Sequence, residues 1–122
     1  MNERLVAYSF HVADPVDTAT LGTGAANFII PFGATLIYAS ASPMEDDSGA
    51  TLDIQDDGTD IVTAIACATA GTVGEWQSTH AGGDETPVAV AAGSEIELDF
   101  NNAAAENAFT VTLLFLTGES WG

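Results

Sequence analysis

The sequence predicts an all-β fold: a single small antiparallel β-sandwich, jelly-roll-like, with about eight strands. Three observations carry this expectation. Hydrophobic residues recur at every second position in short runs, turn residues punctuate those runs at fairly regular spacing, and no stretch keeps the 3.6-residue period of an amphipathic helix. The 122 residues suit one domain, long enough to bury a core without disulfide staples.

The strands follow in order. Val6, Tyr8, Phe10 and Val12 alternate with Ala7, Ser9 and His11, so the first strand has one apolar face, and Asp14-Pro15 ends it. Val16 to Ala26 is rich in Thr, Gly and Ala and reads as a connection or extended arm. The expected organisation is therefore residues 1–25 as an N-terminal strand and docking arm, and residues 26–122 as the sandwich, within one domain. Phe28, Ile30 and Phe32 suggest a second strand, with Pro31 demanding an edge or a bend. Ala34 to Ser42 is a third strand, and Pro43 to Gly49 is expected as a solvated loop.

Leu52 and Ile54 alternate with polar neighbours, and Asp57-Gly58 separates them from the run beginning at Ile61. Asp-Gly between two such runs signals a tight hairpin, because both turn positions need positive φ. Ala68 to Thr86 reads as a long glycine-rich loop, broken by a short strand near Glu75-Trp76-Gln77. Val88 and Val90 form a short strand before a turn at Gly93. Ile96, Leu98 and Phe100 then alternate with Glu95, Glu97 and Asp99, and Asn101 to Asn107 is a loop. The last strand carries Phe109, Val111, Leu113 and Phe115. Its other face turns apolar at Leu114 and Leu116, so its second half is expected to be covered on both sides.

Charge excludes several function classes. Eighteen acidic residues face a single basic one, Arg4, for a net charge of -17. Such a chain repels phosphate backbones and anionic membranes, so direct nucleic-acid and membrane partners are not expected. The acidity fits a basic partner surface or work at high ionic strength. No basic region followed by a long apolar stretch opens the chain, so no export signal is expected.

Candidate chemistry is sparse. Glu95, Glu97 and Asp99 share one strand face about 6.6 Å apart, a spacing that suits paired-carboxylate glycoside hydrolysis but equally a solvated outer face. Asp53, Asp56, Asp57 and Asp60 crowd the Asp57-Gly58 turn without the spacing of a calcium loop. Ser78, His80 and Asp84 lie in one loop without a nucleophile elbow, and His11 and His80 lack partners at metal-ligand spacing. Cys67 is the single cysteine and ends an apolar run, which favours a buried thiol. Trp76 and Trp121 are candidate interface anchors. These readings leave no catalytic, cofactor-binding or metal residue, and no cofactor, to be expected. The chain reads as non-enzymatic.

One resemblance adds to this. Ile30-Pro31-Phe32-Gly33-Ala34-Thr35-Leu36, the stretch Thr51-Leu52-Asp53-Ile54-Gln55-Asp56-Asp57-Gly58-Thr59-Asp60-Ile61, then Val90-Ala91-Ala92-Gly93-Ser94-Glu95-Ile96-Glu97-Leu98 and Phe109 to Leu116 form a recurring layout. This layout resembles the small jelly-roll decoration, or cement, proteins of tailed-phage capsids. The resemblance implies a virion protein on the capsid exterior, assembled in the host cytoplasm as a homotrimer and bridging major capsid protein subunits. The alternative from the residues is a tail, baseplate or fibre module that binds a receptor or carbohydrate through Trp76.

Overall fold

Alternation along Arg4–Ala13 gives β1, whose Tyr8, Phe10 and Val12 turn toward the interior while Leu5, Ala7, Ser9 and His11 are exposed. The computed structural model describes residues 4–13, 26–103 and 107–117. Within them follow β2 (Ala26–Ile29), β3 (Ala34–Pro43), β4 (Thr51–Asp56), β5 (Thr59–Ala66), β6 (Gly74–Gln77), β7 (Val88–Val90), β8 (Glu95–Asn101) and β9 (Ala108–Thr117). The only helical segment among the described residues is one 3-10 turn, Thr79–Ala81.

Two antiparallel sheets face each other. One runs β1-β9-β3-β6, with β7 also on β3; the other runs β2-β8-β4-β5. Apart from the β4–β5 hairpin and the β6–β7 link, each connection passes from one sheet to the other. This is the double Greek-key wrap of a jelly roll, as the alternation predicted. The count is nine because β6 and β7 divide one edge of β3: β6 pairs with Tyr38–Ala41 and β7 with Ala34–Leu36. Residues 78–87 interrupt what is otherwise one partner strand.

The core lies between the sheets. Leu52, Ile54, Ile96, Leu98 and Phe100 from one side meet Leu36, Val111, Leu113 and Phe115 from the other. Each such side chain contributes about 1.5–3 kcal/mol by leaving water. Aromatic rings close both ends of the packing: Phe28 of β2 stacks on Tyr8 and Phe10 of β1 at 4.4 and 5.4 Å, and Phe100 meets Phe109 at 4.6 Å.

The β4–β5 hairpin forms as the Asp-Gly signal required. Asp56 pairs with Thr59, and Asp57 and Gly58 hold φ of 51° and 85°, the two positive values of a type I′ turn. Farther along, the register slips between Leu52 and Ile54. Ala64 bulges there at φ 60°, held by its N–H donating to Asp53 Oδ1 at 2.8 Å.

The stretch from Ala68 carries the expected short strand as β6, and a tight return follows it in which Ser78 bridges Glu85. Three expectations need correction. The second strand stops at Ile29, because Pro31 has no N–H to offer a ladder; Ile30 instead exchanges backbone bonds with Gly93 and Ser94 and is fully buried. The loop after Pro43 is not uniformly solvated: Asp47 is buried, where its Oδ2 accepts a 3.0 Å bond from Asn107 Nδ2. The second half of β9 is not covered on both sides by the described residues. Leu114 and Leu116 are half-buried, flanked by β1 and β3 with no described element above them.

Candidate functional site

The two sheets present unlike outer faces. On β2-β8-β4-β5, the inward positions Ile96, Leu98 and Phe100 force Glu95, Glu97 and Asp99 outward, and the register sets Asp53 opposite Asp99 and Gln55 opposite Glu97. Asp60 joins them from β5, where its Oδ1 accepts from Gln55 Nε2 at 2.9 Å. No basic side chain stands among them. On β1-β9-β3 the outward positions are Leu, Ala, Thr, Ser, Tyr and His, with no carboxylate among the described residues of those three strands. Glu75 of β6 borders this face, and its Oε2 accepts the Tyr38 hydroxyl at 2.7 Å.

Amide donors satisfy two carboxylates of the acidic face without cancelling their charge. Asn27 Nδ2 donates to Glu95 Oε2 at 2.8 Å, and Asn101 Nδ2 donates to Asp53 Oδ2 at 3.1 Å. Glu97, at the centre of the sheet, is only 8% exposed. Burial pushes the Asp99 carboxyl above its usual range, and the nearby charges of Asp53, Asp60 and Glu97 push it the same way. Glu95, Glu97 and Asp99 thus stand in a row along one strand of an outward sheet face. Among the described residues, no three His, Cys, Asp or Glu side chains are grouped to hold a metal ion.

The aspartates at the hairpin have structural work. Asp57 Oδ1 accepts the Glu95 N–H at 2.9 Å while its own N–H donates to the Glu95 carbonyl at 2.9 Å, tying the turn to β8. Asp53 pins the Ala64 bulge. Asp56 Oδ1 is buried without a hydrogen-bond partner, as is Gln55 Oε1. The Ser78, His80 and Asp84 set is not assembled as a triad: Ser78 is fully buried and its Oγ accepts the His80 backbone N–H at 3.2 Å, capping the 3-10 turn, while His80 and Asp84 are exposed.

Cys67 lies in the core at 1% exposure, and burial, with a smaller push from the Asp47 charge, raises its thiol to about 12. Trp76 sits in β6, half-buried and packed against the core. With Glu75, Gln77, Gly83, Asp84 and Glu85 it lines an open groove of about 370 Å³ whose walls are mostly polar. Trp121 and the arm residues 14–25 lie outside the described residues. His11 is exposed on β1, opposite Thr110.

With topology and faces in place, the chain is similar to a solved structure. That structure is a chain of the cyanophage Pam1 capsid asymmetric unit. The TM-score is 0.55 at 18% identity, over 96% of this chain and 86% of that chain. Identity this low carries a likeness of fold alone. No family model and no curated protein match the sequence.

Sequence reasoning missed one polar device. Asn107 spends its whole amide: Oδ1 accepts from the N–H of Glu45 at 3.1 Å and of Ala108 at 2.8 Å, and Nδ2 donates to the Glu45 carbonyl and Asp47 Oδ2, both at 3.0 Å. It fastens the β3–β4 loop to the start of β9. The only signal in the sequence was an Asn just before an apolar strand.

Proposed function

We propose that this protein is a non-enzymatic structural component of a viral capsid, a decoration protein that sits on the shell exterior and cements it by bridging major capsid protein subunits. The observation that carries this reading is the extent of the fold likeness. It takes in 96% of this chain and 86% of a capsid chain, so it relates two small proteins nearly end to end rather than one domain of a large shell protein. The partition of the surface supports it. A sandwich whose β1-β9-β3 surface carries no carboxylate, with Glu75 at its β6 border, and whose other outer face is acidic has a side for protein contact and a side that stays hydrated, and repels nucleic acid, at the outer surface of a particle. The proposed assembly is a homotrimer in the virion, with no cofactor and no direct contact with nucleic acid or membrane.

The alternative, a tail or fibre module that binds a receptor or carbohydrate, draws on the groove beside Trp76. That indole packs against the core instead of standing free as a stacking platform, which favours the capsid reading. Antibody raised against the purified chain, applied to particles purified from its source, tests the proposal by immunogold electron microscopy. Regular labelling of the capsid outer surface is expected. Label confined to tails, or absent from particles that contain their full set of shell proteins, overturns it.

A further inference from the structure

We propose that the outer face of β8 and β4 binds one hard divalent cation of the Ca²⁺ class, held by the carboxylates of Glu97 and Asp99 and by Gln55 Oε1. The inference stands apart from the capsid reading, and a structural ion adds no catalytic step to it. One row of the sheet carries the argument. The register sets Asn27, Glu97, Gln55 and Asp60 side by side across β2, β8, β4 and β5, and Cβ atoms of directly opposed residues stand about 4.5–5.5 Å apart. Glu97 is more than nine-tenths buried in this row, yet both amides beside it give their nitrogen elsewhere. Asn27 Nδ2 donates to Glu95 Oε2, and Gln55 Nε2 donates to Asp60 Oδ1. Among the described residues, no hydrogen bond reaches the Glu97 carboxylate. Gln55 Oε1 is buried as well and has no partner.

The orphaned oxygens follow from the residue types and do not depend on one amide orientation. Gln55 stands between two carboxylates, and an amide has its donors on one side only. With its nitrogen toward Asp60, its oxygen turns toward β8, so acceptor faces acceptor beside Glu97. Turning the amide over moves the same conflict to Asp60. Buried acceptors without partners are costly, so a donor or a positive charge belongs between them. Charge selects the cation over water. Asp99, about 6.6 Å along the strand from Glu97, also receives no described hydrogen bond. Opposite it, Asp53 has both oxygens committed, Oδ1 to the Ala64 N–H and Oδ2 to Asn101 Nδ2. The charges of Asp53, Asp60 and Glu97 all press on the Asp99 carboxyl. Water would satisfy the oxygens and leave that repulsion, whereas a divalent ion removes both. Donors that are all oxygen favour Ca²⁺ or Mg²⁺ over softer transition ions. Two carboxylates and one amide leave a shell that water must complete irregularly, which Ca²⁺ tolerates and octahedral Mg²⁺ does not. The set needs only two carboxylates, in keeping with the lack of any group of three acidic, imidazole or thiol ligands among the described residues.

Isothermal titration calorimetry on the full chain, stripped with EDTA and held at physiological NaCl, tests this. CaCl2 should bind saturably, one ion per chain, with a Kd of about 0.1–1 mM, and MgCl2 at least about tenfold more weakly. Melting temperature should rise with CaCl2 and not with NaCl added to equal ionic strength. Glu97→Gln and Asp99→Asn should each weaken Ca²⁺ binding at least about 10-fold, with far-UV circular dichroism unchanged. Should Glu97→Gln fail to fold, Asp99→Asn decides alone. Asp84→Asn is the control: it removes an equal charge from an exposed position in the return between β6 and β7, and should leave binding intact. Absence of saturable CaCl2 binding to well above that range overturns the proposal. So does a response that MgCl2 or matched NaCl reproduces in full. Affinity that survives the folded face variants, or that Asp84→Asn abolishes, also overturns it.

Discussion

Replacing Asn107 with Ala should remove a large part of this domain's stability. The substitution deletes four hydrogen bonds at once, to Glu45 N–H, Ala108 N–H, Glu45 C=O and Asp47 Oδ2. A neutral bond of this kind is worth about 1 kcal/mol net, one to a carboxylate about 1.5–3, and a donor left buried without a partner costs about 1–3. Two of the four are only partly buried, so water can replace them, and the sum comes to about 3–5 kcal/mol. Domains of this size hold about 5–15 kcal/mol in total. Urea unfolding, followed by circular dichroism and by Trp fluorescence, should show the midpoint falling with the slope unchanged. Asn107→Asp should be worse near neutral pH, since it aims a second carboxylate at Asp47, and should recover partly on acidification. A loss under about 1 kcal/mol for Asn107→Ala, with the slope unchanged, would refute the view that this amide fastens the β3–β4 loop to β9.

Three further outcomes are expected. Gly74→Ala should cost about 3 kcal/mol or prevent folding, because a Cβ there meets the Ala66 carbonyl and the Ile65 side chain; Gly58→Ala, in open space, should cost only its left-handed strain of about 1 kcal/mol, and thermal melts of the two compare them. Asp99 has its folded pKa raised above the ordinary aspartate value of 3.8, so the fold holds that proton more tightly than the unfolded chain does. Its contribution to stability therefore grows as pH falls from above the raised value toward 3.8 and is lost as pH rises again; Asp99→Asn should raise the neutral-pH melting temperature and flatten this dependence, and an unchanged profile contradicts it. Cys67, with its thiol near 12, should react with a disulfide reagent at mildly alkaline pH only at the rate of unfolding, so a fast native reaction counts against its placement.

How much was legible in the sequence depends on how far apart the partners lie. The β4–β5 hairpin was readable because Asp57-Gly58 specifies its own turn. Strands β8 and β9 were readable because their alternation is long and clean, and β6 because Glu75-Trp76-Gln77 stands out in a glycine-rich stretch. The Asp47–Asn107 bond joins residues 60 apart, and no local pattern announces it. The Ala64 bulge was hidden for a related reason: Ala seldom adopts positive φ, and only the β4–β5 register together with Asp53 holds it there. The candidate surfaces divide the same way. Period-two spacing placed Glu95, Glu97 and Asp99 on one face, but their neighbours Asp53 and Asp60 come from β4 and β5 through sheet order. The apolar turn at Leu114 and Leu116 was visible and suggested a covered strand; the order β1-β9-β3 shows instead that these residues look outward.

The cementing role itself is tested most directly by the heat stability of virus particles made with and without this chain, read as release of packaged DNA to an intercalating dye. Particles lacking it should assemble, then lose their DNA at a distinctly lower temperature, and adding the purified chain back should restore the wild-type value. Equal release temperatures, with the shell protein content matched, would contradict the account.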